Sequence, residues 1–129
     1  MARFKLLTRY LLGGLFIVAG ANHFVNTAFY LSIMPPYLPW PLELVYLSGA
    51  SEAGLGALLL VRRWAVWAGW GLIAVCVAVF PANVHMAMHP EFYPSISTLG
   101  LWLRLPAQGL LMAWAYWYTR QDQNSPSPA

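Results

Sequence analysis

Four long apolar runs, each about the length that crosses a bilayer, limit how this chain can fold. They cover about residues 6–26, 42–61, 64–86 and 99–118. A transmembrane helix needs roughly 20 mainly apolar residues. With 60% apolar and 9% charged residues among 129, the chain has more apolar surface than a soluble domain of this size can bury. The sequence therefore predicts an all-α protein, with a bundle of four transmembrane helices forming one domain over residues 1–120.

The positions of the basic residues predict how these helices are oriented. Basic residues precede the first run, occupy Arg62 and Arg63 between the second and third, and return at Arg120 after the fourth. The connections 27–41 and 87–98 contain no Lys or Arg. Because basic residues collect in cytoplasmic loops, we expect both termini in the cytoplasm and a multi-pass protein of the inner (plasma) membrane. The net charge of +3 then reflects topology, and no nucleic-acid partner is expected.

The first outer connection is too apolar for an ordinary solvated loop. It reads TAFYLSIMPPYLPWP, and its aromatic side chains suit the membrane interface. Prolines interrupt a continuous helix, so we predict a short interfacial helix followed by a rigid turn. After Arg120 the chain is polar and contains prolines, which predicts a disordered tail over residues 121–129.

The N-terminal run also fits a second interpretation. A basic start, an apolar core and the ending Ala19-Gly20-Ala21 are typical of a cleaved signal peptide. Cleavage would leave three spans and remove the helix on which the others are expected to pack. We therefore predict that this segment is retained as the first span.

Three polar residues lie inside the second and fourth runs. Glu52 is near the middle of its run, Arg104 lies near the start of the fourth, and Gln108 follows one helical turn later. An ionised side chain at the centre of a span costs roughly 2.5–3.5 kcal/mol on insertion scales, so it should face the bundle interior and find a partner. We predict a Glu52–Arg104 ion pair. Such a pair either fixes helix packing alone or forms part of a ligand or proton site, and both alternatives stay open.

Further polar residues occur near the outer ends of the first and third runs. Antiparallel packing is expected to bring His23, Asn83 and His85 to a similar depth, above the charged pair. Pro81 should interrupt the third helix and free a backbone carbonyl. Together these residues predict a polar pocket in the outer half of the bundle, open either to water or to lipid. The predicted ligand-site residues are His23, Glu52, Asn83, His85, Arg104 and Gln108.

Metal binding and nucleophilic catalysis have less support in the sequence. His85 and His89 are one helical turn apart, with two methionines between them, which suits copper(I). A haem held by two histidines is an equal alternative. However, the helix should end near His89, because Pro90 follows it. No serine shows the arrangement of an activated nucleophile, so we assign neither a metal ligand nor a catalytic residue.

Five short segments, taken in order, resemble one family of membrane proteins. The segments are GANHF, MPPYLPWP, LSGASEAGLGALLL, FPANVHMA and RLPAQGLL. They resemble the DoxX-like family of small bacterial membrane proteins over nearly the whole of residues 10–114. The resemblance implies a four-helix membrane bundle. The family's typical polar positions would then be His23, Glu52, Asn83, Arg104 and Gln108.

The same resemblance implies more than one function. One branch of the family is named for the small subunit of a thiosulfate:quinone oxidoreductase, another is linked to a membrane oxidoreductase complex, and distant animal relatives assist assembly of a receptor channel. We expect a redox-associated subunit whose outer half binds a quinone or another amphiphile. The alternatives are a non-catalytic assembly factor or lipid- or partner-binding protein and, third, a metal or haem binder. The sequence leaves open whether the chain is an enzyme and whether its small-residue helix faces form a homodimer.

Overall fold

Helices make up nearly all of the protein that the structure describes. A computed structural model describes residues 2–94 and 96–120. Within these ranges the chain forms five α-helices: α1 Ala2–Val25, α2 Thr27–Ile33, α3 Pro41–Leu59, α4 Ala65–Met88 and α5 Thr98–Trp117. Short 3-10 turns occupy Arg62–Trp64 and Pro90–Phe92. The predicted all-α class is confirmed, whereas the predicted disordered tail, 121–129, lies outside the described residues.

Two helices are long and apolar enough to cross a membrane. They are α1, over Arg3–Val25, and α4 with the turn before it, over Arg62–Met88. The helices α3 and α5 have 19 and 20 residues, but polar side chains such as Glu52 and Arg104 make them less apolar. The structure therefore shows two candidate spans where the sequence predicts four.

Local signals explain where several helices begin and end. Pro41 occupies the first turn of α3, where a helix loses no hydrogen bond to proline. The hydroxyl of Ser97 accepts a hydrogen bond from the Gly100 amide at 3.0 Å and caps α5. A short helix is present in the first connection, as predicted: α2 ends at Ile33, shortly before the Pro-Pro pair.

The four long helices pack side by side in the order α1, α3, α4, α5. α1 and α3 approach closely because glycines line their contact. A Cβ atom on Gly49 would lie 2.6 Å from the Cβ of His23 and 2.8 Å from the carbonyl oxygen of Gly20, so no side chain fits there. At the other end of α1, the Tyr118 hydroxyl donates to Thr8 Oγ1 at 2.7 Å and joins the chain after α5 to α1.

Two apolar clusters hold the helices together, one toward each end. The first contains Leu12, Phe16, Leu59, Leu72 and Ala115. The second contains Ile33, Met86, Ala87, Tyr93 and Leu101. Five of the six polar side chains predicted to form a site lie between these clusters along the helices, and the sixth, His85, adjoins the second cluster near the end of α4.

Candidate functional site

His23 and Glu52 join α1 to α3. The Nε2 atom of His23 lies 3.1 Å from Oε2 of Glu52, and the histidine is buried. The other ring nitrogen, Nδ1, lies 2.8 Å from the carbonyl oxygen of Ala19. Because a carbonyl can only accept, Nδ1 carries a proton and donates it. The contact between Nε2 and Oε2 needs a second proton, carried by one of the two residues, so the pair is built to hold one shared proton.

Neighbouring side chains hold this pair in place. The Tyr30 ring stacks on the His23 ring with their centroids 3.9 Å apart, and Asn22 Nδ2 donates to the Tyr30 hydroxyl at 2.8 Å. Ser48 Oγ, one turn before Glu52, donates to Oε2 at 3.2 Å. Neither Tyr30 nor Ser48 is among the residues predicted from the sequence. The i, i+4 spacing of Ser48 and Glu52 is a signal that identifies Ser48, whereas the position of Tyr30 depends on how α2 folds back.

A second polar group joins α4 to α5 as a chain of hydrogen bonds. Arg104 Nε–H donates to Asn83 Oδ1 at 3.3 Å, and Asn83 Nδ2 donates to Gln108 Oε1 at 2.6 Å. Gln108 is buried, and its Nε2 donates to the carbonyl of Cys76. Pro81 lies inside α4, five residues after Cys76, where it interrupts the helical hydrogen-bond ladder. The chain therefore fixes Arg104 to the α4 backbone near this interruption.

Cys76 connects the second polar group to the backbone of α4. Its carbonyl accepts the hydrogen bond from Gln108. α3 packs closely on α4 near this point. A Cβ atom on Gly71 of α4 would lie 2.6 Å from Leu55 Cδ2 of α3. The His23–Glu52 pair and the chain that ends at Gln108 therefore lie on two pairs of helices that are joined by the packing of α3 on α4.

The predicted Glu52–Arg104 ion pair is wrong for the residues that the structure describes. Glu52 pairs with His23, and Arg104 bonds to Asn83. The prediction placed the outer ends of the spans level with one another. Instead, the register of α1 against α3 puts His23 beside Glu52 rather than above it, and α4 packs between α3 and α5.

His85 belongs to a separate group near the end of α4. Its Nδ1 lies 3.2 Å from the Tyr93 hydroxyl, and the Tyr37 ring meets the His85 ring edge-on with centroids 5.0 Å apart. Burial raises the pKa of Tyr93, and the neighbouring Tyr37 adds to the effect, so the Tyr93 hydroxyl keeps its proton. No described hydrogen bond connects His85 to the other five predicted site residues.

The histidines do not assemble a metal site in the described part of the chain. There, no group of three or more His, Cys, Asp or Glu side chains could hold a metal ion. The rings of His85 and His89 stack with centroids 4.4 Å apart and planes inclined by 25°. Because the nitrogen lone pairs lie in the ring planes, two nearly parallel rings do not direct them at one ion. The copper and haem hypotheses therefore gain no support from this geometry.

Comparison with known proteins identifies the family of the chain. No curated protein and no solved structure matches the sequence. A family model described as "Domain of unknown function (DUF8561)" matches residues 12–119, which is most of the chain and includes all six predicted site residues. The chain belongs to the DUF8561 family.

Proposed function

We propose that this chain is a multi-pass protein of the inner (plasma) membrane, in which α1, α3, α4 and α5 all cross the bilayer. The two candidate spans support this arrangement. So do the large apolar side chains that face outward, among them Val18, Trp67 and Leu110, which are 69%, 71% and 72% exposed. Water would disfavour such an apolar surface, whereas hydrocarbon solvates it. In this proposal α3 and α5 also span the bilayer, because α3 packs between α1 and α4 and α5 packs beside α4.

The proposed orientation places both termini in the cytoplasm. Basic residues support it, because they occur at the start of α1, at Arg62–Trp64 and at Arg120, whereas the connections at the opposite end contain no Lys or Arg. α2 and the turn after it then lie at the outer interface. The exposed rings of Tyr37 and Trp40 suit that level, where amphipathic aromatic side chains accumulate.

We further propose that the polar residues between the two apolar clusters bind the head of an amphiphile, with a quinone as the candidate. The observation that carries this proposal is the hydrogen-bond chain that holds Arg104 in a fixed orientation. Its guanidinium can donate to an oxygen of the bound head. The His23–Glu52 pair supplies a group that can give or accept a proton.

The resemblance to DoxX-like proteins makes this bundle a redox-associated membrane subunit in our proposal. A quinone head has two carbonyl oxygens, which are hydrogen-bond acceptors, and it takes up protons when it is reduced. The site offers matching donors and a proton-holding pair. A partner subunit with a redox centre of its own would exchange electrons with the bound quinone.

Titration of the detergent-solubilised protein with a short-chain quinone tests this function. Saturable quenching of tryptophan fluorescence is expected for the wild type. Asn83→Leu releases Arg104 from its fixed orientation and should weaken binding by about tenfold. The control variant is Val18→Ala, because Val18 is exposed on α1 and lies outside the α4–α5 hydrogen-bond chain, and it should bind as the wild type does. Quenching that never saturates, or that is equal in Asn83→Leu, would contradict the proposal.

The alternative function is a non-catalytic assembly factor or partner-binding protein. It is favoured by the exposed aromatic residues of the turn before α3, where Tyr37 and Trp40 are 57% and 72% exposed. Trp40 has a φ of 51°, a strained conformation that presents the side chain on a rigid turn. This function predicts that Trp40→Ala abolishes complex formation with a defined membrane-protein partner, while Asn83→Leu leaves it intact.

A further inference from the structure

We infer that Arg104 binds an acidic head group, a carboxylate or phosphate on an apolar chain, where α5 packs against α4. This inference rests on the proposed amphiphile-binding function, and it replaces the neutral quinone candidate at Arg104 with an anionic head. It follows from the direction of the hydrogen bonds around Arg104, from its unpaired charge, and from the apolar surface beside it.

The hydrogen-bond chain has only one direction that satisfies both of its ends. Arginine can only donate, and a backbone carbonyl can only accept. Asn83 must therefore turn its oxygen to Arg104 and its nitrogen to Gln108, and Gln108 must turn its nitrogen to Cys76, as the structure shows. Within this chain the described hydrogen bond to Arg104 engages Nε alone, and the terminal nitrogens of the guanidinium make none.

The charge of Arg104 has no carboxylate partner among the described residues. The side chain makes one described hydrogen bond, through Nε, and Glu52 pairs with His23 instead. The two terminal nitrogens of the guanidinium remain available as donors. Paired terminal N–H groups match the two oxygens of a carboxylate or phosphate, which they bind as a fork. A neutral carbonyl would satisfy one donor and leave the charge uncompensated.

The surface around Arg104 suits an apolar chain attached to that head. Leu103 is exposed beside Arg104, and Leu110 is exposed farther along α5. Arg104 lies six residues after Thr98, the first residue of α5, and so about 9 Å along the helix axis. A head group bound at this depth keeps its chain in the hydrocarbon region, against these side chains.

An arginine that merely reaches toward the bulk lipid phosphates would follow a different pattern. Such a side chain extends along its own helix to the interface and needs no partners on the next helix. Here Asn83 donates to Gln108 and accepts from Arg104, so the arginine is held against α4. The arrangement therefore indicates a built site rather than a flexible surface contact.

Calorimetric titration in neutral maltoside micelles tests the inference with four probes. Dodecyl phosphate and dodecanoate carry both an acid and a chain, dodecanol has the chain alone, and inorganic phosphate has the acid alone. The two acidic amphiphiles should bind saturably to the wild type. Dodecanol and inorganic phosphate should bind at least about tenfold more weakly. Inorganic phosphate that binds as tightly as dodecyl phosphate would overturn the assignment of a lipid-borne ligand.

Three variants assign the binding to Arg104. Arg104→Gln should weaken dodecyl phosphate binding by about tenfold or more, and Arg104→Lys should give an intermediate loss because it keeps the charge without the fork. Arg63→Gln, which removes an exposed basic residue in the Arg62–Trp64 turn, should bind as the wild type does. If Arg104→Gln does not fold, the loss of dodecyl phosphate binding in Arg104→Lys tests whether Arg104 binds the head group. Equal binding of dodecanol and dodecyl phosphate, or full binding by the Arg104 variants, would overturn the inference.

A parallel titration with a short-chain quinone separates this inference from the proposed function. Quinone binding that depends on Asn83, without any binding of the acidic probes, would refute the anionic ligand and leave the proposed function intact. Absence of binding by both kinds of probe would refute both.

Discussion

His23 Nε2 lies 3.1 Å from Glu52 Oε2, across a helix contact in which Gly20 and Gly49 leave no room for side chains. The His23–Glu52 contact and the close approach of the two helices depend on each other. Close approach of the helices brings a residue near the end of α1 to the middle of α3, where the carboxylate lies. The polar site is therefore coupled to the packing of small residues on both helices.

A double-mutant cycle should show that His23 and Glu52 act as one unit. His23→Phe keeps a ring to stack on Tyr30, and Glu52→Leu removes the carboxylate. Each single change leaves one buried polar group without its partner and should lower the free energy of unfolding by about 1–3 kcal/mol. The double variant should lose less than the sum, with a coupling of about 0.5–3 kcal/mol. Reversible unfolding in mixed micelles measures all four proteins, and additive losses would show that the contact contributes nothing.

Gly49→Ala should disrupt the α1–α3 contact. The added methyl group would meet the His23 Cβ at 2.6 Å, so the helices must separate and the His23–Glu52 contact must lengthen. Gly54→Ala on the same helix is the matched control, because no atom lies within 4 Å of a Cβ there. We expect Gly49→Ala to lower the melting temperature and Gly54→Ala to keep or raise it, since alanine is the better helix former by about 1 kcal/mol. Equal effects of the two changes would contradict the packing described.

Alkaline pH should destabilise the protein in part through Tyr93. Burial raises the pKa of this side chain above the ordinary value of 10.0. A raised pKa in the folded state contributes stability that is fully present below pH 10 and is lost as the pH rises through the higher folded value. Melting temperatures measured from pH 8 upward should therefore fall less steeply for Tyr93→Phe than for the wild type. Tyr46→Phe is the control variant, because the Tyr46 ring is exposed. Parallel curves for Tyr93→Phe and wild type would contradict the prediction.

The proposed orientation can be tested by labelling single cysteines in intact cells. Cys76 is buried and is the one cysteine of the sequence, so Cys76→Ala provides a cysteine-free background. A membrane-impermeant maleimide should label Tyr37→Cys from outside, because position 37 lies in the outer turn. It should label Arg63→Cys only after the membrane is opened. The reverse pattern would invert the topology.

The sequence predicts the helices and the kinds of polar residue in the site, but not which of these residues pair. The apolar runs indicate α1, α3, α4 and α5, and the cost of polar groups in hydrocarbon selects Glu52, Arg104 and Gln108. Pairing depends on helix register, which the glycines of α1 and α3 set through contacts that only the fold reveals. The prediction set His23 above Glu52, whereas the structure brings the two side chains into contact.

The site around Tyr30 shows the same limit. Tyr30 reaches His23 because α2 turns back beside α1 and α3, and no periodicity in the sequence encodes that direction. Ser48 is different, since its spacing from Glu52 places both on one face of α3. Interactions within one helix can thus be predicted from the sequence, whereas those between helices need the packing.

Native mass spectrometry of the protein purified from its own membranes tests the central claim most directly. The claim is that the polar residues between the apolar clusters bind the head of an amphiphile. We predict a retained mass, one amphiphile per chain, in the wild type and in Val18→Ala, and its loss in Arg104→Gln. Bare wild-type protein, or the same retained mass in Arg104→Gln, would contradict the account.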